Sequence, residues 1–186
     1  VHQQIYTEVK DKLLAKLKTI KAADPNLSTT LVGPMIKEDE AKRLKKWLDQ
    51  AVAEGATVLV GGEQQGVMFE PTLLEQVSPT SEIYQNEAFG PVAILEPYEQ
   101  FEQGIERINQ SRFGLQAGVY TQNLQQMLYA WDQLHVGGVI INDIPSFRVD
   151  NMPYGGVKDS GLGREGIQSA IRDMQEERLL VIHQPG

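Results

Sequence analysis

Stripes of apolar residues at helical spacing alternate along this chain with short apolar runs that lack strict two-residue alternation. This pattern constrains the fold more than any other feature. A strand covered on one face alternates apolar with polar, whereas a strand covered on both reads as a nearly continuous apolar run. The pattern predicts an α/β fold, with three αβα layers around a mostly parallel sheet. Ile5, Val9, Leu13, Leu17 and Ile20 mark a helix between His2 and Lys21, which Asp24-Pro25-Asn26 breaks. Gly33-Pro34 marks a second turn. Ala41, Leu44, Leu48 and Val52 form the stripe of a second helix. Glu38, Asp39 and Glu40 sit in its first turn, where the macrodipole favours negative charge, and Gly55 is its stop. Apolar strands are predicted over Thr57–Val60, Pro91–Glu96, Leu115–Thr121 and Val139–Ile141, with an extended run from Phe69 to Val77. Phe101, Ile105 and Ile108 mark a third helix; Leu124, Met127, Leu128, Trp131 and Leu134 mark a fourth. A Gly-rich loop from Asp143 to Gly163 leads to a short helix over Glu165–Met174 and a last apolar strand, Leu179–Ile182.

At 186 residues the expected organisation is one body over 1–176 followed by a separate C-terminal strand over 177–186. Lys plus Arg is 17 against 25 for Asp plus Glu, a formal net charge of -8, which argues against nucleic acid or an anionic membrane as the main partner. There is no Cys, so the chain carries no disulfide, no thiolate metal site and no thiol nucleophile of its own. His2, His135 and His183 show no metal-ligand spacing, and no metal site is expected. No apolar run approaches the ~18 residues of a membrane span. No signal peptide opens the chain, which begins at Val1 rather than Met. A piece of something longer, in the cytoplasm, is expected.

Gly161-Leu162-Gly163-Arg164-Glu165-Gly166 matches the dinucleotide fingerprint G-x-G-x-x-G. The fingerprint also needs a strand before it and a returning strand after its helix. Here a polar loop precedes it and little chain follows, so the reading is a tight loop opening a helix. Two segments carry more. One is Glu87-Ala88-Phe89-Gly90-Pro91-Val92. The other runs Pro153-Tyr154-Gly155-Gly156-Val157-Lys158-Asp159-Ser160-Gly161-Leu162-Gly163-Arg164-Glu165. Ser111-Arg112-Phe113-Gly114-Leu115, Ala117-Gly118-Val119, Gly137-Gly138-Val139-Ile140-Ile141-Asn142 and Gly33-Pro34-Met35-Ile36 accompany them. In this order they resemble the C-terminal part of the catalytic domain of the NAD(P)-dependent aldehyde dehydrogenase superfamily, over nearly the whole chain.

The resemblance implies oxidation of an aldehyde to a carboxylic acid with NAD or NADP, through a cysteine thiohemiacetal and thioester. The nucleophile and the general base would lie upstream, outside this chain, which alone would be inactive. It assigns Glu87 to the nicotinamide-ribose hydroxyls, since two carboxylate oxygens can accept from two vicinal hydroxyls. Phe89 would pack beside the nicotinamide. Phe147 and Tyr154, the latter where the family usually has Phe, would wall the aldehyde site. Arg148 would pair with a phosphate or carboxylate on the substrate, against the plainer reading of a surface Arg bridging to Asp150. Glu165 would lie on a proton-exit path, and the dipole would favour it equally in a helix first turn. Asn142 would steady the nucleophile loop. Arg164, Lys158 and Ser160 are expected to be structural, the last two bonding the loop's own backbone. Arg178–Gln184 would pair with a neighbouring subunit's sheet, giving a homo-oligomer. The alternatives are a stand-alone noncatalytic module acting by subunit association, and an unrelated nucleotide-binding domain using Gly161–Gly166.

Overall fold

In the computed structural model, which describes residues 1–184, the second predicted helix forms as α2, Glu38–Ala53. Ala41, Leu44, Leu48 and Ala51 line its buried side. Ala51 replaces the expected Val52, which is exposed, because a step of three carries the stripe inward as well as a step of four. The first helix is shorter than expected: a 3-10 turn over Gln3–Ile5 precedes α1, Tyr6–Leu17. Strand β1, Thr57–Val60, follows α2. The extended run splits at Pro71 into β3, Met68–Phe69, and β4, Thr72–Glu75. This is expected of a residue with no N–H to give a ladder. A two-residue strand β2, Gln64–Gln65, pairs antiparallel with β3. A four-residue helix α3, Glu82–Gln85, and strand β5, Val92–Ile94, come next.

The sheet order is β1-β4-β5. β1 pairs antiparallel with β4, and β4 pairs parallel with β5 in the register Thr72↔Val92, Leu73↔Ala93, Leu74↔Ile94. β4 is the central strand, and its successive side chains enter different cores. Leu74 joins Leu44, Leu48, Ala51, Phe69 and Ile83. Leu73 joins Tyr6 and Leu95, against which Leu13, Leu14 and Leu17 of α1 pack. Tyr6 is held at its polar end as well. Its hydroxyl lies 3.1 Å from Glu75 Oε2 and 3.3 Å from the Leu95 carbonyl oxygen, and Lys10 Nζ lies 3.2 Å from the same carboxylate oxygen.

The chain's contacts divide it into two compact units, the first ending at Gly104 and the second beginning at Ile105, where one body over 1–176 is expected. Helix α4, Phe101–Gln110, spans that point. The second unit holds β6, Phe113–Gly114; β7, Gln116–Val119; α5, Leu124–Gln133; β8, Gly138–Ile141; β9, Val157–Lys158; and α6, Ile167–Asp173. β7 and β8 pair parallel across α5, from Gln116↔Gly138 to Val119↔Ile141. β6 pairs antiparallel with β9, inside the expected loop. α5 buries Ala130, while Leu124, Leu128 and Trp131 of its apolar stripe are exposed. The stripe is wider than this chain covers.

The sheets are therefore mixed, not mostly parallel. β4–β5 and β7–β8 run parallel, and β1–β4, β2–β3 and β6–β9 run antiparallel. Strand direction depends on connections that apolar periodicity does not encode. The expected last strand is also absent. Leu179, Leu180, Val181 and Ile182 are exposed and take no regular structure, since no strand of this chain pairs with them. Pro185 and Gly186, the end of the expected arm, lie outside the described residues. Among the described residues no helix is long and apolar enough to cross a membrane.

One backbone crossing organises the second unit. A Cβ on Gly137 would stand 1.7 Å from the Gly155 carbonyl oxygen, so the Gly-rich loop passes directly over the approach to β8. Ser160, Lys158 and Asp159 then pin that loop to neighbouring segments rather than to itself. Ser160 Oγ accepts from the Gly114 N–H at 2.9 Å. Lys158 Nζ donates to the carbonyls of Asn109 at 3.0 Å and Ser111 at 2.9 Å, at the C-terminal end of α4. Asp159 pairs with Arg112 at 2.6 Å. Arg164, as expected, is structural, donating to the carbonyls of Gly156 at 3.0 Å and Gly163 at 2.7 Å.

Two stability predictions follow from these contacts. Gly137→Ala should lower the urea-unfolding free energy by about 1–3 kcal/mol, because the new methyl meets a backbone oxygen that cannot move aside alone. Gly33→Ala, whose Cβ would meet Pro25 at an ordinary 3.7 Å, should change it little. Burial, and then the hydrogen bond and charge of Glu75, push the Tyr6 phenol up to about 12 from 10.0. The folded state thus favours the protonated phenol. The stability it contributes is complete below pH 10 and is lost as pH rises toward 12. Unfolding midpoints across that window should fall less steeply for Tyr6→Phe than for the parent chain; identical slopes would refute the linkage.

Candidate functional site

The sequence-predicted site residues fall in both units. Glu87 and Phe89 belong to the first, and Asn142, Phe147, Arg148, Tyr154 and Glu165 to the second. Each group has its own local geometry.

In the first unit, the turn from Glu87 to Pro91 joins α3 to β5. The Thr72 N–H donates to the Pro91 carbonyl at 2.8 Å, which ties the turn's end to β4. Gly90 sits so close to α2 that a Cβ there would meet Leu44 Cδ2 at 2.4 Å. Phe89 takes φ +47°, the left-handed region a bulky residue rarely adopts. The residue is 75% exposed, so packing among the described residues does little to offset the strain. It borders an open recess of about 400 Å³ with Pro34, Met35, Ile36, Lys37 and Glu40. Glu87 is exposed, and its carboxylate has no partner among the described residues. Two free acceptor oxygens two residues from a projecting aromatic suit a ligand with both hydroxyls and a planar ring.

In the second unit, Asn142 ends β8 at φ +59°. Its Oδ1 accepts from the Thr121 N–H at 2.9 Å, and its own N–H donates to the Val119 carbonyl at 2.8 Å. It thereby closes β8 against the end of β7. Arg148, Tyr154 and Glu165 come together. Tyr154 and Glu165 face each other as an antiparallel bridge, the Tyr154 N–H donating at 3.2 Å and the Glu165 N–H at 2.5 Å. Arg148 Nη2 lies 3.1 Å from Glu165 Oε2, and the guanidinium lies 4.3 Å over the Tyr154 ring. Its ion-pair partner is thus Glu165, not Asp150. Tyr154 and Glu165 also border a recess of about 390 Å³ with Gly155, Ser160, Leu162 and Arg164. The Phe147 carbonyl accepts from Gln116 Nε2 at 3.1 Å, and its ring is partly exposed.

Arg148 is held on one edge and one face, and its remaining N–H groups have no partner among the described residues. A guanidinium oriented this way can take a carboxylate, phosphonate or sulfonate through two N–H groups. Gly161, Gly163 and Gly166 have φ of +130°, +74° and +114°, and the stretch is a loop opening α6, after which no strand returns among the described residues. No cluster of three or more His, Asp or Glu side chains placed to hold a metal ion occurs among the described residues. Sequence reasoning missed Asn109. Its Nδ2 donates to the Gln133 carbonyl at 2.7 Å and its Oδ1 accepts from the His135 N–H at 2.7 Å, which fixes the exit of α5. These partners are far off in sequence, and only its place beside a helix end hinted at the role.

The aldehyde dehydrogenase family model matches residues 1–180. The sulfoacetaldehyde dehydrogenase of Neptuniibacter caesariensis is 44% identical over 182 residues, which cover 98% of this chain and 40% of that protein. The crystal structure of aldehyde dehydrogenase 21 from Physcomitrella patens, in complex with the reaction product succinate, superposes with TM-score 0.93 at 42% identity. It covers 98% of this chain and 38% of that one. Glyceraldehyde-3-phosphate dehydrogenase from Methanocaldococcus jannaschii, complexed with NADP, gives TM-score 0.88 at 35% identity over 94% of this chain and 38% of that one. The chain thus spans about two fifths of the length of the relatives it matches. With a family model matching nearly its whole length, the chain belongs to the aldehyde dehydrogenase family.

Proposed function

We propose that this chain is the C-terminal part of the catalytic domain of an NAD(P)-dependent dehydrogenase that oxidises an anionic aldehyde to a carboxylic acid. The observation that carries the reading is the Arg148 guanidinium, aligned by Glu165 and Tyr154 with N–H groups left open. The names of the relatives agree: one acts on a sulfonate-bearing aldehyde, and one crystal structure holds a dicarboxylate product.

The resemblance implies that a cysteine thiolate attacks the aldehyde carbon and that a glutamate base, also upstream in the family, activates water. With no Cys in this chain, we assign both to a preceding segment, and we expect this chain alone to be inactive. The roles of its own residues are binding and positioning. A nicotinamide cofactor bound here would supply the hydride acceptor. Glu87 and Phe89 fit one end of it, since an unpartnered carboxylate can take the vicinal ribose hydroxyls and a projecting ring can pack beside the nicotinamide. Phe147 and Tyr154 wall the aldehyde site and exclude water. Arg148 takes the anionic end of the substrate. Glu165 serves the proton path out, and in the free site it is the counter-ion of Arg148. Asn142 steadies the loop carrying the nucleophile.

In the complete protein β4, with helix α1 packed toward one face and α2 toward the other, is the middle of three αβα layers. The apolar segment Leu179–Ile182, exposed here, becomes an arm that pairs with a neighbouring subunit's sheet edge.

Two variants of the complete enzyme test the reading. Glu87→Gln keeps the shape but loses the charge and should slow hydride transfer roughly tenfold, the worth of one hydrogen bond to a charged group. Single-turnover absorbance of the reduced cofactor measures it, and unchanged rates would remove Glu87 from the cofactor site. Arg148→Ala should lower kcat/KM about 10- to 100-fold for sulfonated or carboxylated aldehydes. Neutral aldehydes of the same length should change far less, and equal losses for both would refute substrate recognition by Arg148.

A further inference from the structure

We infer that Arg43 of α2 is a positioning residue for the cofactor-facing turn. It sets the geometry at which Glu87 and Phe89 project. The inference rests on the reading of Glu87 and Phe89 as cofactor contacts and deepens it.

Three contacts fix the guanidinium. Its Nε lies 2.7 Å from Glu40 Oε2, one turn back on the same helix. Its Nη2 donates to the Ala88 carbonyl at 2.9 Å, across 45 residues of sequence. Its face lies 4.1 Å over the Trp47 ring, one turn ahead. Glu40 and Trp47 hold it along the helix at spacings where side chains meet. The remaining edge of the fork is directed at one peptide plane of the turn. A lysine gathers its three N–H donors on one nitrogen and lacks the planar fork that here reaches a carboxylate, a ring face and a carbonyl in separate directions.

The bonded carbonyl belongs to Ala88, the residue between Glu87 and Phe89. To hold that oxygen is to hold the Ala88–Phe89 peptide plane, and hence the φ of Phe89. That φ is +47°, and positive φ on a non-glycine costs of order 1–3 kcal/mol unless its surroundings over-determine it. On the far side of Phe89 the determinant is steric, because Gly90 presses against Leu44, the next residue of α2. On the near side it is the Arg43 hydrogen bond. The strained residue is thus held between two neighbours on one helix and is left 75% exposed. Strain that buys the chain no packing is what an exposed contact residue needs when its direction matters.

The test measures KM for the oxidised cofactor, KM for the aldehyde, kcat and the melting temperature in the complete enzyme. The variants are Arg43→Ala, Arg43→Lys and Glu87→Gln. We expect Arg43→Ala to raise the cofactor KM about tenfold, while the aldehyde KM stays within twofold. Arg43→Lys should recover part of the loss and fold if Arg43→Ala does not. A merely structural arginine would lower the melting temperature and depress all the kinetic constants together, which would overturn the inference. So would an unchanged cofactor KM in both Arg43 variants while Glu87→Gln raises it, and the cofactor reading of the turn would survive. If Glu87→Gln and both Arg43 variants leave the cofactor KM unchanged, that reading falls and takes the positioning role with it.

Discussion

A strand covered on both faces has to satisfy its ladder and fill two apolar layers at once, and β4 is such a strand. Thr72, Leu73 and Leu74 are all nearly inaccessible. Leu74 enters the α2 core and Leu73 the Tyr6 core, so neither helix side can shift without opening the other. The site depends on this arrangement. The Thr72 N–H holds the Pro91 carbonyl, and Leu44 beneath β4 presses on Gly90. The turn carrying Glu87 and Phe89 is therefore tied to the nearly inaccessible strand of its unit. Functional loops gain precision when a packed scaffold fixes their ends.

The second unit reaches a similar end by different means. Its core is smaller, and its Gly-rich loop is placed by backbone proximity and polar anchors instead of apolar burial. Gly137 and Gly155 cross at a distance no side chain permits. Ser160, Lys158 and Arg164 then spend their hydrogen bonds on Gly114, on the end of α4, and on Gly156 and Gly163. Short of glycine, the loop would stand off from β8. Without the anchors, its carbonyls would lack partners. Tyr154 and Glu165 sit at the two ends of the anchored stretch and meet as a bridge, so the loop's closure itself creates the surface on which Arg148 lies.

Much of this was legible in the sequence where the determinants are local. Thr57–Val60 and Glu38–Ala53 emerge almost as predicted, because a continuous apolar run, an acidic first turn and a following glycine are all read over a few residues. Strand direction, the β6–β9 pairing and the division after Gly104 depend on partners tens of residues away. The Leu179–Ile182 segment has strand composition but no strand beside it, and a ladder needs two. The same distinction runs through the site. The family resemblance proposed Glu87, Phe89, Tyr154 and Glu165 as site residues. That Arg148 pairs with Glu165 and not Asp150, or that Arg43 reaches Ala88, follows only from tertiary placement.

The two arginines show how one side chain can serve opposite ends. Arg43 is half-buried and engaged on three sides, so its hydrogen bond to Ala88 is partly shielded from water and can help hold a strained backbone. Arg148 is exposed, as is Glu165, and an ion pair in that setting contributes little to stability. Under the proposed substrate role, an incoming anion would replace Glu165 at small cost. The Tyr154 face beneath the guanidinium stays in place during that exchange and keeps the donors aimed. An arginine engaged on three sides suits a clamp on the backbone, and a loosely paired but oriented one would suit the anion-binding role proposed for Arg148.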